Sequence, residues 1–314
     1  MKKYDVLVVG DVNVDLVVTG IKKMPLPGQE RYVDDISLNV GGGAALSAIG
    51  LARLGMKSAV YGSIGDDFLG VYIVDILEKT GVDTSFIQKL SFSRTGISIA
   101  LSWDNDRSFL TYVGSNGEND LNGISDEIIS QVSHAHLAGY KADSNHDSYV
   151  ELVRKLKKAG IPVSMDVGWD ESEEWSSRLF ELVKLVDVFS LNETEASHYC
   201  GTDDMEKCIR MLSEYCGEVI IKMGPRGAMG MKNGSIHYCS TFPVSIVDTT
   251  GAGDSFNSGF LYGRLTGCDF RTCLIYGNAC GALSTTRAGG YSAFPDKKSL
   301  HDFIAGNMDA IVIR

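Results

Sequence analysis

The chain has 314 residues, 44% of them hydrophobic and 22% charged, which is ordinary globular usage and argues against both disorder and a membrane class. A formal net charge of −11 argues against nucleic acid, whose binding needs a basic face to displace counterions from phosphates. No apolar run reaches membrane-spanning length, and the start MKKYDVLVVGDVNVD enters an alternating strand with acids rather than a signal-peptide core, so a cytoplasmic protein with no membrane partner is expected.

In chain order, YDVLVVG reads as a buried first strand. GGGAALSAIGLARLG then combines glycines, helical apolar spacing and a closing Gly55, predicting a helix from about Ala44. Strand KSAVYGSIG and helix DDFLGVYIVDILEKTG follow, with Asp66 as the expected N-cap and Gly81 as the stop. The alternation resumes with strand HAHLAGY, helix HDSYVELVRKLKKAG, strand IPVSMDV, helix EEWSSRLFELVKL, strand VDVFSL, helix ETEASHYCG and strand EVIIKM. Two successive helices are expected from Gly251 to about Arg287. Short apolar strands alternating with amphipathic helices predict a doubly wound, three-layer α/β/α fold, its mostly parallel sheet covered on both faces.

Two stretches, about residues 14–38 and 94–113, alternate polar and apolar residues without intervening helices. They predict antiparallel strands outside the main sheet, a small β lid inserted in one domain spanning 1–314. MKNGSIHY is a hairpin candidate with Asn233-Gly234 at its turn. Ligands of open α/β sheets sit at the carboxyl ends of the strands, where such a lid would close.

All seven cysteines lie between Cys200 and Cys280 with no C-x-x-C pair, which reads as reduced thiols. His134 and His136 would share one face of a strand, either as a metal pair or as packed histidines, with no third ligand apparent.

The segment DTTGAGDSFNSGF, Asp248 to Phe260, places glycines, an acid and hydroxyls ahead of a helical pattern. If a helix starts near Ala252, the amides of Gly251, Ala252 and Gly253 are among its unpaired first donors, and the helix dipole adds positive potential. Asp254 in the first turn could take a proton from a substrate hydroxyl beside a bound phosphoryl group, or could simply offset the dipole.

This segment resembles, position for position through Leu261, the second signature of the ribokinase-like (PfkB) carbohydrate kinases. The opening VVGDVNVD, the double glycine before the first helix, NETE, and GNACGALSTTRAGG fall in the family's order, so the resemblance covers essentially the full length. It implies an ATP-dependent kinase acting on a hydroxyl, primary by expectation, of a small carbohydrate. Asp254 would be its base and Gly251, Ala252 and Gly253 its anion hole.

The resemblance further implies that Asn192 and Glu195 organise Mg2+ and the phosphates, Glu195 through water; the same N-x-x-E spacing also makes a capping box. Lys222, Gly224 and Gly227 are implied ATP contacts, and Asn278, Ala279 and Ala282 are implied neighbours of the adenine. A K+ site would join Asp248 and Thr250 to carbonyls near Ser284, Arg287 and Gly289.

The acceptor would be held by Asn13, Asp15, Gly42 and Gly43, with Arg107, Asn116 and Asp166 as further candidates. Arg107 suits an acidic sugar's carboxylate, and Trp169 either stacks on a sugar face or packs. The family's first signature usually has Asn where this chain has Leu46, whose side chain cannot replace those hydrogen bonds. Lid edges in the family can pair between subunits, so a homodimer is expected. The alternatives are a nucleoside kinase and a non-catalytic sugar-binding protein. Gly253 to Ser255 also resembles the GDS of GDSL hydrolases, but His301 lacks the Asp partner at the required spacing. Neither a G-x-G-x-x-G after a strand nor a Walker A is present.

Overall fold

The computed structural model describes residues 2–103 and 107–314, the side chain of Arg107 excepted. In chain order the strands are β1 Val6–Gly10, β2 Asn13–Thr19, β3 Asp35–Gly41, β4 Ser58–Gly65, β5 Asp83–Leu90, β6 Gly96–Ser102, β7 Arg107–Tyr112, β8 Ala135–Ala138, β9 Val163–Asp166, β10 Val188–Asn192, β11 Glu218–Lys222, β12 Ala228–Lys232 and β13 Ser235–Cys239. The helices are α1 Gly43–Arg53, α2 Phe68–Lys79, α3 Asp126–Ser130, α4 His146–Lys158, α5 Leu179–Val183, α6 Glu193–Cys200, α7 Met205–Ser213, α8 Ala252–Leu265, α9 Phe270–Ser284 and α10 Lys297–Asn307.

Nine strands form one sheet in the order β13-β12-β11-β10-β9-β8-β1-β4-β5, parallel except at β12 and β13. Successive residues of β1 serve opposite faces: Leu7 and Val9 join a core with Leu152, Leu182 and Ile209, while Val6 and Val8 join one with Ile49, Phe260 and Leu274. The alternation expected at the start of the chain is absent from β1, whose five residues are all buried, because a strand covered on both sides needs a continuous apolar run. The β12–β13 hairpin turns at Asn233 (φ 52°) and Gly234 (φ 78°), the left-handed pair that matches strand twist.

The two non-helical stretches form a separate four-stranded sheet, β3-β2-β6-β7. It is not wholly antiparallel as expected: β2 and β6 run parallel, Asn13 opposite Gly96. The long connection between them, which includes α1, α2 and three strands, permits that pairing.

Other local expectations are corrected. Asp67, not Asp66, caps α2, accepting from the Gly70 amide at 2.9 Å. The helix expected over residues 173–185 shrinks to Leu179–Val183, because Glu173 (φ 56°) and Trp175 (φ 49°) are left-handed and Asp170 ties the Trp175 amide at 2.8 Å. His134 and His136 are buried on β8, each 2.8 Å from Ser164 Oγ; burial first, then neighbouring positive charge in the case of His134, pushes them down to about 3 and about 4. Among the described residues no cluster of three His, Cys, Asp or Glu could hold a metal, and no helix is long and apolar enough to cross a membrane.

Candidate active site

The tip of α8 carries the chemistry-bearing segment. Gly251 caps it in the left-handed region (φ 72°), and the Ser255 amide returns to Gly251 O at 2.8 Å. Ala252 N–H is turned to Thr249 O at 3.2 Å, so it is not one of three open donors. The amides of Gly251 and Gly253 have no protein acceptor among the described residues and remain available to an anion. A Cβ on Gly251 would lie 3.3 Å from both Leu46 Cδ1 and Phe294 Cζ. Leu46 is therefore buried under the helix tip, where it shapes the turn by packing.

Asp254, half-buried in the first turn of α8, looks across a cleft at the end of β1. Burial comes first in raising its carboxyl to about 7, followed by the repulsion of Asp166; Lys222 opposes this and Asp15 adds to it. Lys222, ending β11, places Nζ 2.7 Å from both oxygens of Asp166, which ends β9. Asp166 also accepts from Ser190 Oγ at 2.9 Å and from Asn257 Nδ2 at 2.7 Å. Its oxygens are thus engaged by Lys222, Ser190 and Asn257, and it lines the same cleft as Gly43 and Asp254. Burial would lower Lys222, but the charges of Asp166, Glu195 and Asp254 outweigh it and hold the ammonium above its ordinary value.

The N-x-x-E segment folds as a complete capping box. Asn192 Oδ1 accepts from the Glu195 amide at 2.8 Å, and the Glu195 carboxylate accepts from the Asn192 amide at 2.8 Å and from its Nδ2 at 2.7 Å. Glu195 is buried, and burial, then Asp166, raises it to about 7. Both residues line the same cleft as Asp254, Lys222 and Gly253.

Asn13 Nδ2 donates to Asp15 Oδ1 at 3.0 Å, and both residues are buried at the start of β2, just after β1 ends. A Cβ on Gly42 (φ 90°) would lie 2.8 Å from Asn13 Oδ1, and one on Gly43 would lie 3.3 Å from Asp254 Oδ1. The double glycine thus lets the start of α1 approach the acid directly. Asn116 accepts from the Val12 amide at 2.9 Å, beside Asn13. Arg107 opens β7, but its side chain lies outside the described residues.

Behind the helix tip is a cavity of about 320 Å³ lined mainly by apolar groups, among them Phe242, Val244, Ile246, Phe256 and Ala282, with Lys222 and Gly253 at one end. Gly224, Gly227 and Asn278 also line it, Asn278 Nδ2 donating to Cys239 O at 2.8 Å. Ala279 is instead fully buried in the helix packing. Asp248 Oδ1 accepts from the Thr250 amide at 2.9 Å, and its Oδ2 accepts from the Gly289 amide at 3.1 Å. The two implied halves of the cation site therefore meet. Ser284 Oγ turns back to Gly281 O at 2.8 Å, and Arg287 faces a separate groove with Arg53.

Sequence reading missed Ser190 and Asn257, which fix Asp166, and Asp11 and Lys141, which line the cleft. It also missed the apolar wall at residues 242–246. The one local signal there is TFPVSIV, apolar residues outside any helix or strand period, of which Ile246 is 59% exposed.

The chain is 28% identical over 311 residues to a ribokinase of Haemophilus influenzae, covering 95% of this chain and 97% of the relative. It is 29% identical over 315 residues to an ATP-dependent ribose-1-phosphate kinase of Halopiger xanaduensis, covering 97% and 99%. The structure of Arabidopsis thaliana ribokinase complexed with ribose and ATP matches with a TM-score of 0.83 at 25% identity, over 96% of this chain and 98% of that one. The three-layer core with its second small sheet is the ribokinase-like architecture. Residues 3–297 match the model of the pfkB family of carbohydrate kinases, and the chain belongs to that family.

Proposed function

We propose that the protein transfers the γ-phosphoryl group of ATP to a hydroxyl, by expectation a primary one, of a small sugar. Family membership and the full-length likeness to sugar kinases support the reaction class. The observation that carries the residue assignment is the meeting of three features at one point. The open amides of Gly251 and Gly253, the Asp254 carboxyl and the close approach of Gly43 lie between an apolar cavity and a polar one.

In this reading the adenine occupies the apolar cavity and the transferring phosphoryl group meets the amides of Gly251 and Gly253. Asp254 takes the acceptor proton; a carboxyl raised to about 7 is matched to that task near neutral pH. Asn13, Asp15 and Gly42 orient the hydroxyls, and closure of the four-stranded sheet excludes water.

Magnesium fits the charge of the site, since Asp166, Glu195 and Asp254 crowd a cleft with Lys222 among them. No cage of three acidic or imidazole ligands exists among the described residues, so the ion would be held through phosphates and water, with Glu195 orienting the water. Bound there, it would supply charge neutralisation to the phosphates. Exposed Ile36, Leu110 and Tyr112 on the small sheet support a homodimer through that sheet, which sedimentation would test.

The test is ADP release over a panel of pentoses, hexoses, sugar acids and nucleosides, with Asp254→Asn alongside. Turnover confined to nucleosides would favour the nucleoside kinase reading. Silence on every acceptor would overturn both.

A further inference from the structure

The acid cleft opens into a second cavity of about 430 Å³, the two sharing Asp11, Tyr140, Lys141, Gly168 and Trp169. Its lining is rich in aromatic rings: Phe109 from β7 and Tyr199 from α6 join the shared Tyr140 and Trp169. Trp169 is 57% exposed yet held in place, its ring edge-on to Trp175 at 5.1 Å, with Trp175 stacked on His198 at 4.3 Å. A bare pentose or hexose contacting Asn13, Asp15 and Gly43 does not need this extra volume.

The charges along the wall decide what does. Asp11 is 3.4 Å from Lys141, and that pair is balanced. Asp170 is held by neutral donors only: Ser172 N at 3.1 Å, Ser172 Oγ at 2.8 Å and Trp175 N at 2.8 Å. Glu171 is exposed and has no hydrogen bond or ion pair among the described residues. Two carboxylates thus face an aromatic cavity with no cation paired to either among the described residues. An exposed indole beside uncompensated carboxylates attracts an ammonium group through its ring quadrupole and repels phosphate or carboxylate.

Resting on the sugar kinase reading above, we propose that the acceptor is a sugar bearing an ammonium group on an arm, and that the arm lies in this cavity with its cation between Trp169 and Glu171. Trp169 and Glu171 are then specificity-determining residues. They do not take part in the phosphoryl transfer.

The experiment uses the full chain and matched derivatives of ribose, fructose and glucose: the free sugar, its 2-aminoethyl glycoside, the N-acetylated 2-aminoethyl glycoside and its phosphate ester. ADP release gives kcat/KM, and calorimetry gives binding in the absence of nucleotide. For one of the sugars the amine should exceed its N-acetyl counterpart about tenfold or more in both measurements. Glu171→Gln should remove most of that preference while leaving turnover of the free sugar unchanged. Trp169→Ala should remove it as well, and both positions are exposed enough that folding is not at stake.

Equal use of the amine and its N-acetyl form, or preference for the phosphate ester, overturns the proposal. So does an amine preference that survives both substitutions. If calorimetry shows the preference and its loss in both variants while no acceptor releases ADP, the cation subsite stands and the kinase reading falls. If only free sugars turn over and calorimetry shows no preference, the kinase reading stands and the subsite falls.

Discussion

Lys222 Nζ lies 2.7 Å from both carboxylate oxygens of Asp166, joining the ends of β11 and β9 beneath the tip of α8, and each side chain is 12% exposed. A nearly buried pair is weak evidence for stability but costly to break, on the order of 3–5 kcal/mol when one partner is removed. Lys222→Met should therefore lower the melting temperature clearly and cut kcat/KM for ATP by about 10² or more, since a cation aimed at phosphate is lost. Adding Asp166→Asn should restore much of the melting temperature without restoring activity. Melts and ADP release on the single and double variants check this; joint recovery would show that the pair only supports the fold.

Asp254 is the second test. Asp254→Asn should keep ATP binding and reduce kcat by about 10² or more. In the wild type, kcat/KM should rise with pH through about 7 as the base ionises, and the variant's residual rate should lack that limb. The same raised carboxyl has a consequence for the free protein. A folded value of about 7 against an ordinary carboxyl near 4 contributes stability that is fully present below about 4 and is lost as pH rises through about 7. The amide variant escapes that loss, so it should melt higher than wild type at pH 8 and close to it at pH 4.5. A lower melting temperature at pH 8 would contradict a carboxylate disfavoured by burial and by Asp166.

Gly43 tests the close approach itself. A Cβ there would stand 3.3 Å from Asp254 Oδ1 and 3.3 Å from Ala138 Cβ, tight contacts that a few tenths of an ångström relieve. As the first residue of α1, position 43 tolerates alanine in the backbone. Gly43→Ala should leave the melting temperature within about 2 °C of wild type while lowering kcat with the acceptor about tenfold or more, because small displacements between reacting groups cost rate steeply. ATP binding should not change. Unaltered turnover would move the acceptor away from this face of Asp254.

These residues were legible to different degrees. The helix tip could be read locally, because glycines, an acid and a helical apolar pattern lie within thirteen residues, and Asn233-Gly234 announced its hairpin by the left-handed pair it requires. The capping box and the cleft role of Glu195 coincide at one spacing, so the sequence could not separate them. The partners of Asp166 were not legible, because Lys222 and Asn257 are 56 and 91 residues away and only the sheet order brings them together. The strand β5 was not anticipated; as an edge strand it is only half-buried and shows no clean alternation. The helix α7 was not anticipated either, although Met205, Cys208, Ile209 and Leu212 recur at helical spacing and are all buried, a signal that could have found it. The shortened α5 was not legible, because the positive φ angles of Glu173 and Trp175 are imposed by contacts of Asp170 and by the stacking on His198.

Asp248 gives the last test. Its carboxylate already joins two segments, accepting from the Thr250 amide and hydroxyl with one oxygen and from the Gly289 amide with the other, and the adjacent Val247 and Asp248 amides both turn to Thr285 O. That loop leads directly into Gly251, so whatever fixes it also fixes the two open amides. A monovalent cation bound by carbonyls on the 284–289 side would hold the loop electrostatically and favour the geometry needed by the phosphoryl group. Turnover should therefore rise several-fold when potassium replaces tetramethylammonium at constant ionic strength, with sodium less effective. Asp248→Asn should weaken that response, its single carbonyl oxygen accepting from the Gly289 amide or the Thr250 amide but not from both. Identical rates in all three cations would show that the Asp248 to Gly289 bond alone sets the loop, and the helix tip would then need no ion to present its amides.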